Sequence, residues 1–222
     1  MVSLIDLAPT FLEAARIKPP ESMTGRSLWP LLRSKKSGCI DPTRDCVFTG
    51  RERHVENARS DFTPYPQRAI RTQDHVLIMN FRPDRWPLGD PYRLEEGSEP
   101  TQQELETNTR VTLPDEDAGP TKAWLVRSRK KDSWKNIFNK VYGKRMPIEL
   151  FDLDQDPYEM HNLAGERTHA ELVKKLTSRL LSELSETGDP RLINDGEFYE
   201  TPPMAGPLKE ESPGWKNQKR KP

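Results

Sequence analysis

The chain has 222 residues, of which 33% are hydrophobic and 32% are charged, and it contains 21 prolines. These proportions predict a modest core, in one large domain or two small ones. Because 35 Lys and Arg residues balance 35 Asp and Glu residues, no net field favours a nucleic acid or a membrane as partner, and no apolar run has the length of a membrane span.

The first predicted element is a helix that begins after Asp6, which is a favourable N-cap residue. Leu7, Phe11, Leu12 and Ala15 form its apolar stripe. This stripe needs a packing surface that the rest of the sequence does not obviously supply.

Two further features concern the compartment of the protein. Met1 leads straight into the amphipathic segment, so no signal peptide is recognisable. Cys39 and Cys46 are compatible with a local disulfide or with two unrelated thiols, and we favour unrelated thiols.

The middle of the chain predicts strands. Residues 46–48 form a short buried strand that delivers residues 51–54 to its end. A hairpin follows between Gln67 and Phe81, with its turn at Gln73-Asp74.

Residues 80–119 are rich in turn residues and acidic side chains and lack periodicity, which predicts a long irregular crossing. Helices are then expected from Thr121 and from Ser133, the second ending at Gly143.

The stretch from Glu149 to Ala164 has the most specific local chemistry. It predicts a strand that ends in an acidic turn at Pro157, because Pro cannot donate to a sheet. A calcium loop is a poor interpretation, since Pro157 replaces the required Gly and Leu163 stands where such a loop needs Glu. The final helix is predicted from a Thr168/Glu171 capping box to Gly188.

This stretch resembles the ELYDL-x-DPxExxNLA segment near the C-terminus of type I sulfatases, the formylglycine-dependent sulfuric ester hydrolases. A second resemblance lies in residues 2–32, where Gly25 to Leu32 is similar to the GxSLxPLL loop that closes the catalytic domain. The middle of the chain, from Thr49 through Pro87, looks most like the bacterial heparan N-sulfatase (sulfamidase)-like branch. The family has Gly at the left-handed end of the first helix, where this chain has Arg16.

The resemblance implies an α/β fold, alkaline-phosphatase/sulfatase-like, of which the chain is the C-terminal part only. We expect the end of the large α/β sheet plus a small antiparallel sheet with a packed C-terminal helix. Residues 1–54 are then the tail end of the catalytic domain, residues 55–198 the C-terminal subdomain and residues 199–222 a disordered tail, the last because they are too poor in apolar surface to pack.

The resemblance also implies calcium and formylglycine as cofactors of the parent enzyme, which would be periplasmic or extracellular. The nearest approach to the formylglycine motif is Cys39-Ile40-Asp41-Pro42-Thr43-Arg44, which has one residue too many between Cys and Pro. We assign no nucleophile and no metal ligand to this chain, and expect it to bind no cofactor. Its expected partners are the missing N-terminal catalytic domain and a sulfated saccharide.

The candidate substrate-binding residues are Arg51, Glu52, Arg53 and His54, which follow the first strand. Groups beyond strand ends line the ligand crevice of open α/β sheets, and guanidinium groups bind sulfate or uronate oxygens. The alternative is a solvated loop with internal Arg-Glu pairing. For the basic stretch from Arg127 to Arg145, a solvated helix face is the favoured interpretation.

We therefore predict a C-terminal fragment of a sulfatase that hydrolyses sulfate esters or N-sulfate groups of saccharides, with the fragment itself inactive. The alternative is a stand-alone, non-catalytic saccharide-binding or interaction module.

Overall fold

The computed structural model describes residues 1–95 and 97–201. Its strands are β1 (Cys46–Arg51), β2 (Gln67–Thr72), β3 (His75–Asn80) and β4 (Ile148–Asp152). Its α-helices are α1 (Leu7–Ala14), α2 (Trp29–Leu32), α3 (Gln102–Thr107), α4 (Pro120–Ser128), α5 (Asp132–Tyr142), α6 (Ala170–Glu186) and α7 (Glu197–Glu200). None of the described helices is both long enough and apolar enough to cross a membrane.

The four strands form one antiparallel sheet in the order β1-β2-β3-β4. The register places Phe48, Ile70, Leu77 and Leu150 side by side across the sheet. Paired residues of neighbouring strands point to the same face, so these four side chains form one apolar face. It is covered by α6, which buries Leu176, Leu180 and Leu184 against it. The predicted small antiparallel sheet with a packed C-terminal helix is confirmed.

Strand β1 belongs to this small sheet. Each of its residues, from Cys46 to Arg51, pairs with β2, and Cys46 and Phe48 pack on the core beneath α6. In the described chain β1 is thus an edge strand of the antiparallel sheet, whereas the sequence analysis placed it in a larger α/β sheet. The domain boundary at residue 54 stays a prediction, although the structure joins both sides of it in one sheet.

A second core lies among the helices that precede β4. It is built from α3, α4 and α5 and from the segment between α3 and α4. The fully buried aromatic Tyr142 of α5 packs on Phe138 with ring centroids 4.9 Å apart. The other buried members are Leu105, Val111, Leu113, Ala123, Leu125 and Val126.

The prediction of an irregular crossing over residues 80–119 is wrong at residues 102–107, which form α3. Thr101 accepts a hydrogen bond from the Glu104 N–H at 3.2 Å, and the Glu104 carboxylate accepts from the Thr101 N–H at 2.8 Å. This reciprocal capping box starts α3, whose Leu105 is fully buried. The sequence signal was Thr101-Gln-Gln-Glu104.

The predicted Thr168/Glu171 capping box does not form. Helix α6 begins at Ala170 after a 3-10 turn over residues 167–169, and no side chain caps its N-terminus. The Thr168 hydroxyl instead lies 3.1 Å from Nδ1 of His169. The predicted end of the helix, before Gly188 with its φ of +66°, is close to the observed one.

The N-terminal helix α1 ends in the left-handed conformation expected at Arg16. Arg16 has a φ of +62°. Its N–H donates to the Glu13 carbonyl at 2.9 Å and the Ile17 N–H donates to the Leu12 carbonyl at 2.8 Å, which is the Schellman arrangement. Phe11 on the predicted stripe remains 67% exposed.

The predicted disordered tail begins at residue 199, but Tyr199 and Glu200 lie in α7. The remaining part of that prediction, residues 202–222, falls outside the described residues.

Candidate functional site

Arg51 is the last residue of β1, and its guanidinium group turns toward the segment that follows β3. Its Nη2 donates to the Pro87 carbonyl at 2.8 Å, and the group lies 5.8 Å from the ring centroid of Tyr65. Arg51 therefore joins the ends of β1 and β3 at one end of the sheet.

Glu52 lies at the centre of an ion-pair group. One carboxylate oxygen is 2.8 Å from Nη2 of Arg68, and Arg191 donates to both oxygens, with its Nε at 3.2 Å. The Arg191 side chain is fully buried, so its charge needs this partner. Glu52 thus holds two arginines in place.

Arg53 is half-buried in the same region. Burial lowers its pKa, the charges of Glu200 and Glu52 raise it, and the charge of Arg85 lowers it. The guanidinium group is therefore within electrostatic reach of two carboxylates and a second arginine.

His54 is the most exposed of the four predicted residues, with 67% of its side chain accessible, and its Nδ1 lies 3.6 Å from a carboxylate oxygen of Asp115. Asp115 is buried, accepting a hydrogen bond from the Val55 N–H at 3.0 Å and pairing with Arg59 at 3.0 Å. Arg59 in turn donates to the carbonyl groups of residues 86 and 87, both at 2.7 Å. A buried ion pair thus fixes the loop that carries His54.

Four arginines that the sequence analysis did not assign to the site lie beside this loop. Arg68 binds Asp189 through Nε at 2.5 Å and Nη2 at 2.9 Å. Arg82 binds Asp195 and Arg85 binds Glu200, with shortest distances of 2.6 and 2.8 Å. The fourth is Arg191.

A cleft of 360 Å³ opens between this group and α6. Its polar lining includes Arg51, Glu52, Arg68, Asp189 and Tyr199. The structure brings the predicted residues to one end of the sheet, but it engages Arg51 and Glu52 in internal contacts and leaves His54 facing solvent. Substrate binding by residues 51–54 stays a prediction.

The described residues do not fit a calcium or formylglycine centre. They contain no group of three or more His, Cys, Asp or Glu side chains placed to hold a metal ion. Cys39 is an exposed free thiol, and Arg44, which closes the nearest formylglycine-like sequence, is buried and paired with Asp6 at 2.8 Å. Cys46 is also a free thiol, as favoured from the sequence.

The acidic turn after β4 is structural. An oxygen of the Asp152 carboxylate accepts hydrogen bonds from the N–H groups of Asp154 and Gln155, both at 3.0 Å. These bonds lower the pKa of Asp152 below its usual value.

The basic stretch from Arg127 to Arg145 is partly neutralised by the crossing before it. Arg129 lies 2.5 Å and Lys130 2.8 Å from the same oxygen of Glu99. Arg145 donates to the last carbonyl groups of α5, at 2.6 Å to that of Lys140. These contacts agree with a charged helix face.

Comparison with known proteins identifies relatives. A family model described as "N-sulphoglucosamine sulphohydrolase, C-terminal" matches residues 1–108. Human N-sulphoglucosamine sulphohydrolase is 30% identical over 200 residues, covering 85% of this chain and 33% of that protein. This chain is related to the C-terminal part of sulfatases.

Other sulfatases align with a similar share of this chain. An ulvan-active sulfatase of Formosa agariphila is 25% identical over 190 residues, which cover 85% of this chain and 30% of that protein. The chain thus spans about a third of the length of these curated relatives. The resemblance to sulfatases, and to the sulfamidase branch among them, is confirmed.

Solved structures also resemble the sulfatase-related chain. A structure titled as BT4656 in complex with its substrate D-glucosamine-2-N,6-O-disulfate has a TM-score of 0.46 and 19% identity, covering 85% of this chain and 25% of that one. A 2-O GAG sulfatase, BT1596, has a TM-score of 0.45 and 18% identity, covering 83% and 25%. With TM-scores this low, we draw no inference from either.

Proposed function

We propose that this chain is the C-terminal part of a sulfatase that hydrolyses sulfate esters or N-sulfate groups of a saccharide. In this proposal the nucleophile and the calcium belong to an N-terminal catalytic domain of the parent enzyme, which acts in the periplasm or outside the cell. The observation that carries the proposal is the group of arginines around the end of β1, because the substrate of a sulfatase is an anion.

The contribution of this chain is to hold the saccharide. The half-buried Arg53, which lies near the charges of Glu52, Glu200 and Arg85, carries a guanidinium group, the donor geometry that matches sulfate or uronate oxygens. His54 presents an exposed imidazole beside it, held by Asp115 at 3.6 Å. Glu52 acts indirectly, because its carboxylate is bound by Arg68 and Arg191.

The assignment of the nucleophile and the calcium to the N-terminal catalytic domain is first tested with the chain itself. With every group that attacks sulfur or holds calcium assigned elsewhere, the purified 222-residue chain is expected to hydrolyse no aryl sulfate in the presence of calcium. Turnover of that substrate above the level of a heat-denatured sample would contradict the assignment.

The second test uses the enzyme expressed from the complete reading frame around this sequence, assayed with N-sulfated and O-sulfated glucosamine. Arg53→Ala is expected to lower kcat/KM by roughly 5- to 150-fold, the equivalent of about 1–3 kcal/mol for one charge-assisted hydrogen bond. Arg53→Lys recovers only part of this, because an ammonium group cannot form the fork. His54→Ala, at an exposed position, lowers kcat/KM without lowering Tm.

Arg179→Ala is the matched control, because Arg179 is an exposed arginine that pairs with Asp45 at 2.7 Å, away from this loop. Since Arg53 is half-buried, each variant needs a thermal melt beside its kinetics. If Arg51→Ala, Arg53→Ala and His54→Ala all keep the kcat/KM of the unmodified enzyme, the loop does not bind the substrate. Absence of hydrolysis of any sulfated saccharide by the complete enzyme refutes the function itself.

A further inference from the structure

The segment after α6, residues 189–200, folds back across the end of the sheet, and we call it the strap. Its first part is anchored by buried charges. Asp189 forms two hydrogen bonds to Arg68, at 2.5 and 2.9 Å, and the fully buried Arg191 binds Glu52. The ring of Tyr199 packs on the guanidinium group of Arg191, with its centroid 5.4 Å away.

The second part of the strap places two carboxylates on arginines of the segment that follows β3. Asp195 accepts from Nη1 of Arg82 at 3.1 Å and from Nη2 at 2.6 Å, the paired geometry of a guanidinium fork. Glu200 lies 2.8 Å from Nη2 of Arg85 and 3.7 Å from Nε of Arg82, and it also accepts a hydrogen bond from Nη1 of the buried Arg191 at 2.8 Å. The guanidinium groups of Arg82 and Arg85 are thus bound by carboxylates of this chain.

The Asp195 contact differs from the anchors in its exposure. The Asp195 side chain is 81% exposed although it binds Arg82. An ion pair open to solvent contributes little to stability and exchanges readily with other anions. By contrast, removal of a partner from the buried pair between Arg191 and Glu52 leaves an uncompensated charge, so the first part of the strap is expected to stay in place.

The backbone between the anchor and these contacts is strained. Asn194, Asp195 and Gly196 have φ angles of 45°, 55° and 75°, a left-handed conformation that L-residues rarely adopt in succession. A Cβ atom at Gly196 would lie 2.3 Å from Nη1 of Arg191, so glycine is required there. Release of Asp195 from Arg82 would let this turn relax.

Arg82 and Arg85, which the strap carboxylates bind, lie beside the loop of residues 51–54. Arg85 and Glu200 both act electrostatically on Arg53, and the Arg85 Nη1 donates to the Pro64 carbonyl at 2.9 Å. An anionic group bound at Arg82 and Arg85 would therefore lie within electrostatic reach of Arg53.

We propose that Arg82 and Arg85 form a binding site for a sulfate or uronate group of the saccharide, and that Asp195 and Glu200 of the strap occupy this site as internal competitors. The proposal rests on the proposed function for the nature of the ligand. A forked guanidinium binds a sulfate as readily as a carboxylate, so the saccharide displaces the second part of the strap when it binds.

The test measures binding of a heparin-derived disaccharide to the purified 222-residue chain by calorimetry, with inorganic sulfate as a second probe. Asp195→Asn removes the competing charge at an exposed position, and the affinity of this variant for the disaccharide is expected to rise by about three- to fivefold. Asp45→Asn is the matched control, because Asp45 forms an equally forked pair with Arg179, at 2.7 Å for both contacts, outside the strap. Its affinity is expected to stay within about twofold of the unmodified chain.

Arg82→Ala in the Asp195→Asn background is expected to remove the gain. Hydrogen exchange of the unmodified chain gives a readout that needs no variant: saturating disaccharide should accelerate exchange at residues 195–201, while the amides of β2 and α6 stay protected. The proposal is overturned if Asp195→Asn binds the disaccharide no more tightly than the unmodified chain, or if the double variant keeps the gain, and the exchange rate in the strap is unchanged.

The two proposals fail in different ways. If Arg82 and Arg85 do not bind the saccharide, the disaccharide leaves the amides of the strap protected from exchange even if the complete enzyme is a sulfatase. If the complete enzyme is not a sulfatase, inorganic sulfate and the disaccharide still displace the strap, because displacement depends only on Arg82, Arg85 and the carboxylates that bind them.

Discussion

Asp6 joins three segments of the first 45 residues. Its carboxylate accepts hydrogen bonds from the N–H groups of Ser3 at 3.1 Å and Arg26 at 2.8 Å, and from Nη1 of the buried Arg44 at 2.8 Å. The sequence suggested Asp6 as the side-chain cap of α1, but no such cap bond forms. Asp6→Asn keeps the shape of the side chain and removes its charge.

The cost of Asp6→Asn follows from these contacts. Removal of one partner of a buried ion pair costs about 3–5 kcal/mol. Arg44 keeps a contact with Asp41 at 3.3 Å and donates to the carbonyl groups of residues 26 and 27 at 2.7 and 3.0 Å. The Asn oxygen also keeps one N–H partner. We therefore expect a loss of about 2–3 kcal/mol.

The pH dependence has a definite sign. Burial raises the pKa of Asp6, but the hydrogen bonds from Ser3 and Arg26 and the charge of Arg44 together lower it below its ordinary value of 3.8. A carboxyl group whose pKa is lowered by folding stabilises the folded state above that ordinary value and loses this contribution as the pH falls through its folded pKa. The segment is expected to open in acid, and in Asp6→Asn this pH dependence is absent.

The assay is hydrogen exchange, because the effect is local. In the described chain neither buried core includes a residue from 1–45. The N–H of Leu28 donates to the Thr10 hydroxyl at 2.7 Å, so the amides of Arg26 and Leu28 report on this segment. Asp6→Asn should accelerate both by about 30-fold or more and leave β3 and α6 unchanged. Equal exchange rates in Asp6→Asn and in the control Asp45→Asn, whose carboxylate pairs with Arg179, would refute the reasoning.

Three further predictions test other parts of the fold. Arg16→Gly should raise the free energy of unfolding of the α1 segment by about 1 kcal/mol, because Arg16 has a φ of +62°; slower exchange at the Ile17 amide checks this, and Lys18→Gly is the control. Burial lowers the pKa of Lys122, whose Nζ donates to three backbone carbonyl groups, to about 8. As the pH rises, the folded state therefore releases this proton before the unfolded state does. Urea melts should show that the free energy of unfolding rises from about pH 8 toward pH 10 in the unmodified chain and does not rise in Lys122→Met. Leu4 and Phe11 are 83% and 67% exposed, so the chain should self-associate at high concentration. The double variant Leu4→Ser, Phe11→Ser should elute from gel filtration closer to the volume of a monomer, whereas the control Thr107→Ser should elute with the unmodified chain.

The elements that the sequence predicted well are those with a local physical signal. The β2–β3 hairpin and β4 have apolar runs bounded by turn residues, and the stripe from Leu172 to Leu184 has helical period. The resemblance located Arg16 in a left-handed position because the family has Gly there, and the structure confirms that conformation. In these cases neighbouring residues determine the backbone.

The elements that the sequence missed depend on partners far along the chain. Leu105, Leu113 and Lys122 become buried only because α3, α4 and α5 assemble into a second core, and Lys122 is solvated by carbonyl groups that the segment of residues 109–116 brings to it. An acidic segment without periodicity contains no pattern that predicts this burial. The capping box at Thr101 was a local signal, and it was sufficient to predict α3.

The candidate site shows why overall charge balance was uninformative. Equal numbers of basic and acidic residues favoured neither a nucleic acid nor a membrane as partner, and they gave no sign that the fold gathers six arginines at one end of the sheet with four carboxylates. The arginines are Arg51, Arg53, Arg68, Arg82, Arg85 and Arg191, and the carboxylates are Glu52, Asp189, Asp195 and Glu200. Arg68 and Asp189 are 121 residues apart in sequence, so composition and local pattern cannot pair them. Three of these four carboxylates belong to residues 189–200, so the position of the strap sets the local field at this end of the sheet.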